Sequence, residues 1–138
     1  MNTDIIYKHI HLKGKRITKI RKKIVQILSE TNCLMTQTDI LTALHKAQLH
    51  PNRSTIFREL QFLTENNIVM KSTISNTDYF EIPQDHHHHL ICLKCHAITK
   101  IDIGNHLQSQ EKKIAKQFKY TITNHSLEFY GYCRHCQA

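Results

Sequence analysis

Two cysteine pairs constrain the fold of this chain more than any other feature of its sequence. Cys92 and Cys95 enclose Leu-Lys, Cys133 and Cys136 enclose Arg-His, and 37 residues separate the pairs. Two thiolates at this spacing chelate one ion from a tight turn, and two such turns complete the tetrahedral four-sulfur site that structural zinc prefers. Zinc binding at such a site contributes about 10–16 kcal/mol to folding. Free thiols and a redox dithiol are the alternatives to zinc.

The positive charge of the chain is concentrated in its first part. The net charge is +8, and residues 1–80 contain 12 Lys and Arg against 6 Asp and Glu, whereas residues 81–138 contain 7 against 5. A basic first part predicts a polyanionic partner, nucleic acid rather than membrane, with a merely solvated basic surface as the alternative. No apolar run approaches the roughly 20 residues that span a bilayer, and Met1–His11 lacks the apolar core of a secretory signal. We therefore expect a cytoplasmic protein with reduced thiols.

The distribution of metal-binding residue types predicts a domain boundary near residue 82. The chain has 5 Cys and 12 His, and four of the Cys and eight of the His follow residue 80. In a reducing compartment this composition favours metal binding over disulfides. We expect a first domain over residues 1–82 and a second over residues 83–138, joined by a hinge at Pro83-Gln84-Asp85.

The first domain has the pattern of a winged helix-turn-helix. Apolar residues recur at helical spacing in three segments, and a β-hairpin around Ser75–Asp78 follows. The predicted helices are Thr18–Glu30, Thr36–Ala47 and Arg53–Asn66. A third helix in this order enters the DNA major groove. Its exposed face offers groups that contact phosphates and base edges, namely Arg53, Ser54, Thr55 and Arg58. A helical bundle without DNA is the alternative.

The second domain is predicted to alternate strands with one helix. The expected strands are 87–93, 97–103 and 120–130, and the expected helix is 105–118. The apolar helix and strand within residues 105–130 are expected to form a dimer interface. The predicted fold class is α+β, an N-terminal winged helix-turn-helix plus a C-terminal α/β dimerisation domain with a structural zinc site.

Four consecutive histidines at positions 86–89 predict a second metal site. In an extended strand alternate side chains share a face, so His87 and His89 point one way and His86 and His88 the other. Each pair offers two imidazoles, and carboxylates complete such a site for a metal of borderline character. The nearest carboxylates are Glu81 at the end of the wing and Asp102 on the next strand. A solvated histidine cluster is the alternative.

Taken together, these residues resemble the ferric uptake regulator (Fur) family of bacterial metalloregulators. The likeness covers roughly Lys15 to Gln137. The matching segments are Arg16-Ile-Thr with Arg21, the recognition-helix motif Ser54–Leu60, the run His86–Cys95, and the closing segment Asn124–Cys133.

The resemblance implies a homodimeric repressor of metal-responsive genes, with metal as corepressor. It implies that Ser54, Thr55, Phe57 and Arg58 contact operator DNA and that Arg16 enters the minor groove. Arg21, in the same first-helix motif, is expected to contact DNA as well. It also implies a hinge sensing site formed by Glu81, His87 and His89. A further site, seen in part of the family, matches His86, His88 and His125.

Several positions depart from the family pattern. The histidine that the winged-helix domain usually donates to the hinge site is Leu34, with Cys33 beside it, and the carboxylate expected after the first CxxC falls on Lys100 or Asp102. This chain has His88 in place of the usual aspartate within the histidine run, Gln108 in place of a family glutamate, and His96 in place of the glycine after the first CxxC. The hinge site therefore holds four ligands, with Asp102 as the fourth, or it draws on Cys33. The missing histidine argues against a peroxide sensor, and nitrogen-rich ligation favours zinc over iron or manganese.

The sequence therefore predicts a non-enzymatic, metal-responsive transcriptional regulator. We expect structural zinc, a regulatory ion that is iron(II), zinc(II) or, as a further option, manganese(II), and double-stranded operator DNA as partner. No membrane and no small organic substrate are expected. A zinc hydrolase or nuclease is disfavoured, because four Cys close their site and no base motif accompanies the histidines. A metal buffer or zinc-dependent interaction module is the remaining alternative.

Overall fold

Two units make up the chain, Met1–Gln84 and Asp85–Ala138. The computed structural model describes residues 2–31, 33–83, 86–104 and 107–137. The predicted boundary between residues 82 and 83 lies two residues before the division between the units. Within the described residues, every helix is too short or too polar to cross a membrane.

The first unit contains four helices and a three-stranded antiparallel sheet. Its elements in chain order are α1 (Thr3–Leu12), α2 (Lys19–Glu30), β1 (Met35–Thr36), α3 (Gln37–Lys46), α4 (Arg53–Glu65), β2 (Met70–Ile74) and β3 (Thr77–Glu81). The strand order is β1-β3-β2. The three predicted helices and the hairpin are confirmed within one or two residues, whereas α1 and the short β1 were not predicted.

The helices begin where side chains satisfy their free backbone N–H groups. A capping box begins α3: Thr36 Oγ1 accepts a hydrogen bond from the Asp39 backbone N–H (3.1 Å), and the Asp39 carboxylate accepts one from the Thr36 backbone N–H (2.9 Å). Asn52 caps α4, and its Oδ1 accepts a hydrogen bond from the Thr55 backbone N–H at 2.8 Å. Such caps stabilise a helix by about 1 kcal/mol each.

The core of the first unit orients α4. Ile56, Leu60 and Leu63 of α4 are buried, and they recur at the spacing of one helix face. They belong to one hydrophobic cluster that also contains Ile6 and Ile10 of α1. Because this face is buried, the opposite face of α4 is directed away from the core.

The wing is a hairpin with a two-residue turn. Ser75 and Asn76 have φ angles of 50° and 61°, and two consecutive residues with positive φ match the twist of the flanking strands. Thr77 pairs with Ile74, and Asp78 pairs with Thr73. The turn is therefore shorter than the four-residue segment predicted from the sequence.

The second unit contains a three-stranded sheet and one helix: β4 (His88–Cys92), β5 (Ile98–Ile101), α5 (Gln108–Phe118) and β6 (Glu128–Gly131). The sheet order is β5-β4-β6; β4 and β5 are antiparallel, and β4 and β6 are parallel. The predicted strand over residues 120–130 was too long, since β6 begins only at Glu128. Residues 105 and 106, where the predicted helix begins, lie outside the described residues. The mixed composition of helix and sheet confirms the α+β class.

Candidate metal centres and nucleic-acid interface

The parallel pairing of β4 and β6 brings the two cysteine pairs together. Cys92 pairs with Gly131, two residues before Cys133, and the Leu93 backbone N–H donates to the Gly131 carbonyl at 2.8 Å. The Sγ atoms of the four cysteines Cys92, Cys95, Cys133 and Cys136 all lie within 4.8 Å of one another. All four are free thiols. The structure thus joins two turns that are distant in sequence into one sulfur cluster.

The spacing within the sulfur cluster fits a zinc ion. Cys95 Sγ lies 3.7 Å from Cys133 Sγ. A regular tetrahedron with zinc–sulfur bonds of about 2.3 Å has edges of about 3.8 Å. The donor set is purely sulfur, which selects soft or borderline metals over magnesium, calcium or manganese.

The thiols of the cluster differ in their affinity for protons. The Cys133 backbone N–H donates to Cys92 Sγ at 3.3 Å, and this hydrogen bond, with one from the Cys95 backbone, lowers the pKa of Cys92 to about 5. The neighbouring thiol of Cys133 and then burial raise the pKa of Cys136 to about 12. At neutral pH the metal-free cluster therefore holds a thiolate at Cys92 and a protonated thiol at Cys136.

His96 completes the first cysteine turn in a left-handed conformation. Its φ angle is 60°, and its backbone N–H donates to the Cys92 carbonyl at 3.0 Å. Only glycine adopts this region without steric cost. This backbone conformation explains why glycine is expected at position 96. His96 adopts the same conformation at a cost in stability.

A cluster of three histidines lies at the start of β4. The ring centroid of His86 lies 4.8 Å from those of both His88 and His125, and the His88 and His125 centroids are 5.3 Å apart. Each residue offers a ring nitrogen, and these nitrogens lie within 4.8 Å of one another. The structure thus brings together the three residues predicted for the further metal site.

A residue that the sequence reasoning did not single out holds His125 in this cluster. The Glu111 carboxylate on α5 contacts His125 Nδ1. On the other side of the ring, His125 Nε2 is buried and has no hydrogen-bond partner among the described residues. A buried ring nitrogen of this kind fits a metal ligand, because burial without a partner is otherwise unfavourable.

His87 and His89 are the second pair of alternating residues in the histidine run. The ring centroids of His87 and His89 are 4.9 Å apart, and His89 is buried. The alternation predicted for an extended strand therefore describes both pairs. Glu81, the carboxylate predicted to join His87 and His89, is the last residue of β3 in the first unit and is buried.

Asp102 is placed differently from the prediction. It is exposed just after β5, and its Oδ1 accepts a hydrogen bond from the Gly104 backbone N–H at 2.9 Å. Among the described residues it belongs to no cluster of three or more metal-ligating groups. This hydrogen bond closes a local turn, and the role of Asp102 as a ligand stays a prediction. Cys33 is half-buried in the first unit and likewise belongs to no such cluster there.

The exposed face of α4 contains the residues predicted to contact DNA. Arg53, Ser54, Phe57 and Arg58 are exposed and Thr55 is half-buried. The hydroxyl groups of Ser54 and Thr55 donate to Asn52 Oδ1 at 2.9 and 2.8 Å. Phe57 is 59% exposed, which leaves a large apolar surface on this face of the helix. Arg16 is exposed before α2.

Arg21 is the exception among the predicted DNA-contacting residues. Its Nε and Nη2 donate to the Glu59 carboxylate at 2.7 and 3.2 Å, its Nη1 donates to the Arg16 carbonyl at 2.8 Å, and its guanidinium lies 4.1 Å from the ring centroid of Phe62. Each guanidinium nitrogen donates inside the unit, so Arg21 joins α2 to α4 and holds the backbone at Arg16. Two of the five N–H groups are left for a phosphate, and contact of Arg21 with DNA stays a prediction.

A winged helix-turn-helix unit followed by a unit with sulfur and imidazole clusters defines a class of protein, the metal-responsive transcription regulators. Comparison with known proteins gives the family. The model of the ferric uptake regulator family matches residues 12–130, and the chain belongs to this family. Its members are transcription regulators, not enzymes. The helix α1 lies almost wholly before the matched residues.

Individual relatives agree with this assignment. The chain is 33% identical to the ferric uptake regulation protein of Yersinia pestis over 123 residues, which cover 87% of this chain and 82% of that protein. The crystal structure of the Vibrio cholerae ferric uptake regulator is similar with a TM-score of 0.74 and 26% identity, covering 91% of this chain and 98% of that one. The Helicobacter pylori ferric uptake regulator, described as having three functional metal binding sites, shares the fold with a TM-score of 0.79 at 21% identity, covering 99% of this chain and 91% of that one.

Proposed function

We propose that this chain is a repressor that binds palindromic operator DNA as a homodimer when it holds a regulatory metal ion. The observation that best supports this is the outward face of α4, where Arg53, Phe57 and Arg58 are exposed together. Arginine donates two hydrogen bonds to a guanine edge, and an apolar ring contacts the methyl group of thymine. A helix with this face reads sequence in the major groove.

The four cysteines take a structural role in this proposal. Their Sγ atoms converge within 4.8 Å, and four thiolates leave no open coordination position on a tetrahedral zinc ion. Zinc at Cys92, Cys95, Cys133 and Cys136 therefore stabilises the second unit and performs no chemistry. It holds β4 in place, and β4 contains or adjoins the four histidines.

The regulatory ion binds at the hinge, to His87, His89 and Glu81. Five residues separate Glu81 from His87, and a chain of this length spans at most about 20 Å. Two imidazoles and one carboxylate suit iron(II), zinc(II) and manganese(II). An ion bound by ligands from both units fixes their relative position, and DNA binding then depends on the ion.

Homodimerisation follows from apolar side chains that the second unit leaves exposed. No residue of α5 is buried, and Ile114 and Phe118 are 48% and 60% exposed. Phe129 and Tyr130 of β6 are exposed as well. Apolar surface of this kind is typical of an interface, and a second copy of the same face covers it in a twofold dimer. Two α4 helices related by a twofold axis read a palindrome.

Selection of DNA from a random pool tests this proposal. We expect the zinc-loaded protein, supplied with iron(II), zinc(II) or manganese(II), to enrich a palindromic sequence. Arg58→Ala should abolish the enrichment at one base pair of each half-site, because it removes a base contact worth about 1–3 kcal/mol. Lys112→Ala on α5 is the matched control, since it removes one positive charge far along the chain from α4. Metal binding without enrichment of any sequence would instead indicate a metal buffer or interaction module.

A further inference from the structure

The carboxylate beside the three-histidine cluster comes from an unexpected position on α5. The resemblance described above places a glutamate at position 108, where this chain has Gln108. Glu111 follows three residues later, and residues at this spacing lie on the same face of a helix. Gln108, Glu111 and His125 line one cavity of about 240 Å³, together with His86. A carboxylate is thus present at the cluster although position 108 lacks it.

The contact of Glu111 determines which nitrogen of His125 is available. Glu111 contacts Nδ1, so that nitrogen carries the proton donated to the carboxylate. Nε2 then presents its lone pair, and it is the buried nitrogen without a partner among the described residues. Histidines that ligate metals commonly donate their other ring N–H to a carboxylate, which fixes the tautomer and raises the basicity of the ligand.

His125, the ligand that Glu111 orients, lies next to two further imidazoles. The ring of His125 lies 4.8 Å from that of His86 and 5.3 Å from that of His88, centroid to centroid. The usual aspartate of the histidine run is His88 in this chain, so the cluster offers nitrogen at all three positions. Imidazole ligands favour zinc over manganese, which prefers oxygen.

We propose that Glu111 is the outer carboxylate of a three-imidazole zinc site, in which it positions His125 without touching the metal. This chain thus has an amide at position 108 and a carboxylate at position 111, where it orients a ligand. Three imidazoles form a site of nitrogen ligands, which favours zinc over manganese. This inference depends on the proposed further metal site and specifies how that site is built.

Zinc affinity, measured by competition with a chelator, tests this role in a protein that retains zinc at the four cysteines. The background variant His87→Ala disables the hinge pair, so that only the three-histidine cluster takes up the added zinc. In this background Glu111→Ala should weaken zinc binding by about 10–100-fold. Glu111→Gln keeps an acceptor oxygen for His125 Nδ1 and should weaken it less. Gln117→Ala, the control at an exposed position of α5 outside the cavity, should leave the affinity unchanged.

Cobalt(II) substituted at the cluster distinguishes an outer carboxylate from a direct ligand. The cobalt absorption spectrum reports the directly bound atoms, so we expect Glu111→Gln to leave its band positions unchanged. A shifted spectrum, or equal loss of zinc affinity in Glu111→Gln and Glu111→Ala, would show direct ligation and overturn the proposal. Unchanged affinity in Glu111→Ala would overturn it as well.

Different results would refute the three-histidine metal site and the role of Glu111. If His125→Ala leaves the zinc stoichiometry and affinity of the background variant unchanged, then the three-histidine site itself does not exist. If His125→Ala abolishes binding and Glu111→Ala does not weaken it, then only the inference about Glu111 is wrong. Operator binding by the otherwise unsubstituted chain tests the regulatory function independently of both.

Discussion

Arg21 and Glu59 form an ion pair that joins α2 to α4, with Arg21 Nε 2.7 Å from Glu59 Oε2 and the two side chains only 12% and 15% exposed. The same guanidinium donates to the Arg16 carbonyl. One side chain therefore fixes both α4, the helix proposed to read DNA, and the segment that presents Arg16. We expect the ion pair to affect DNA binding only by positioning these two segments.

Removing one partner of this pair should destabilise the first unit. We expect Arg21→Met or Glu59→Leu alone to lower the free energy of unfolding by about 3 kcal/mol, because each leaves a largely buried charge without a partner. The double variant should lose less than the sum of the two, measured by urea unfolding of the zinc-loaded protein. If Arg21 instead contacts a phosphate, Arg21→Met will reduce the salt dependence of DNA binding by about one unit of slope. Arg58→Ala is the comparison.

A charge on the exposed face of α5 should prevent dimerisation. Ile114 is 48% exposed in the single chain, and Ile114→Glu would place a carboxylate in the proposed apolar interface. We expect sedimentation to show a monomer with unchanged helix content and much weaker operator binding, since only one half-site is read at a time. Lys113→Glu, a charge change at the adjacent exposed position, is the control and should remain dimeric. A dimeric Ile114→Glu protein would place the interface elsewhere.

Zinc binding at the four cysteines should release at least two protons near neutral pH. The pKa of Cys136 is raised to about 12 and that of Cys95 is also raised above its ordinary value, so both are protonated before zinc binds. Zinc needs thiolates, and acid therefore favours the metal-free state. For each proton that zinc displaces, the zinc affinity should fall about tenfold when the pH is lowered by one unit. The stability conferred by zinc is thus present at high pH and lost as pH falls.

Calorimetry in buffers of different ionisation enthalpy counts these protons. A release of fewer than two at pH 7 would mean that the thiols of Cys95 and Cys136 are ionised in the metal-free protein.

Replacing His96 by glycine should stabilise the second unit. His96 has a φ angle of 60°, which costs a residue with a Cβ atom about 1–2 kcal/mol. We expect His96→Gly to raise the free energy of unfolding by about 1 kcal/mol, part of the gain being offset by the greater freedom of glycine in the unfolded chain. His135→Gly, in the second cysteine turn, is the matched control and should show no gain. A loss of stability in His96→Gly would assign the imidazole a contact that outweighs the strain.

Local sequence signals predicted most of the elements that position the sites. The Thr36–Asp39 capping box and the hairpin around Ser75 depend on side chains and turns a few residues apart, which the sequence displays directly. The alternation of the histidines also follows from strand geometry alone. The helix α1 was missed because its apolar residues do not mark a single face: Ile6 and Ile10 are buried, whereas Ile5 and Leu12 are exposed.

A tertiary contact for Arg21 and a local turn for Asp102 place these two residues differently from the sequence-based expectation. Arg21 matches a motif in sequence, but its role is set by Glu59, which is 38 residues away. Asp102 has the right residue type near the right strand, yet a turn to Gly104 takes its carboxylate. Glu111 was overlooked because its significance depends on His125, and only the helical spacing from Gln108 signals it in the sequence.

Operator affinity with and without the regulatory ion tests the central claim most directly. The protein would carry zinc only at its four cysteines, and affinity for the selected palindrome would be measured before and after addition of iron(II), zinc(II) or manganese(II). We predict that at least one ion tightens binding tenfold or more, within the 5–150-fold range typical of coupled sites, and that His89→Ala removes the effect. Tight operator binding that none of the three ions changes would contradict metal-dependent regulation and indicate a constitutive DNA-binding protein.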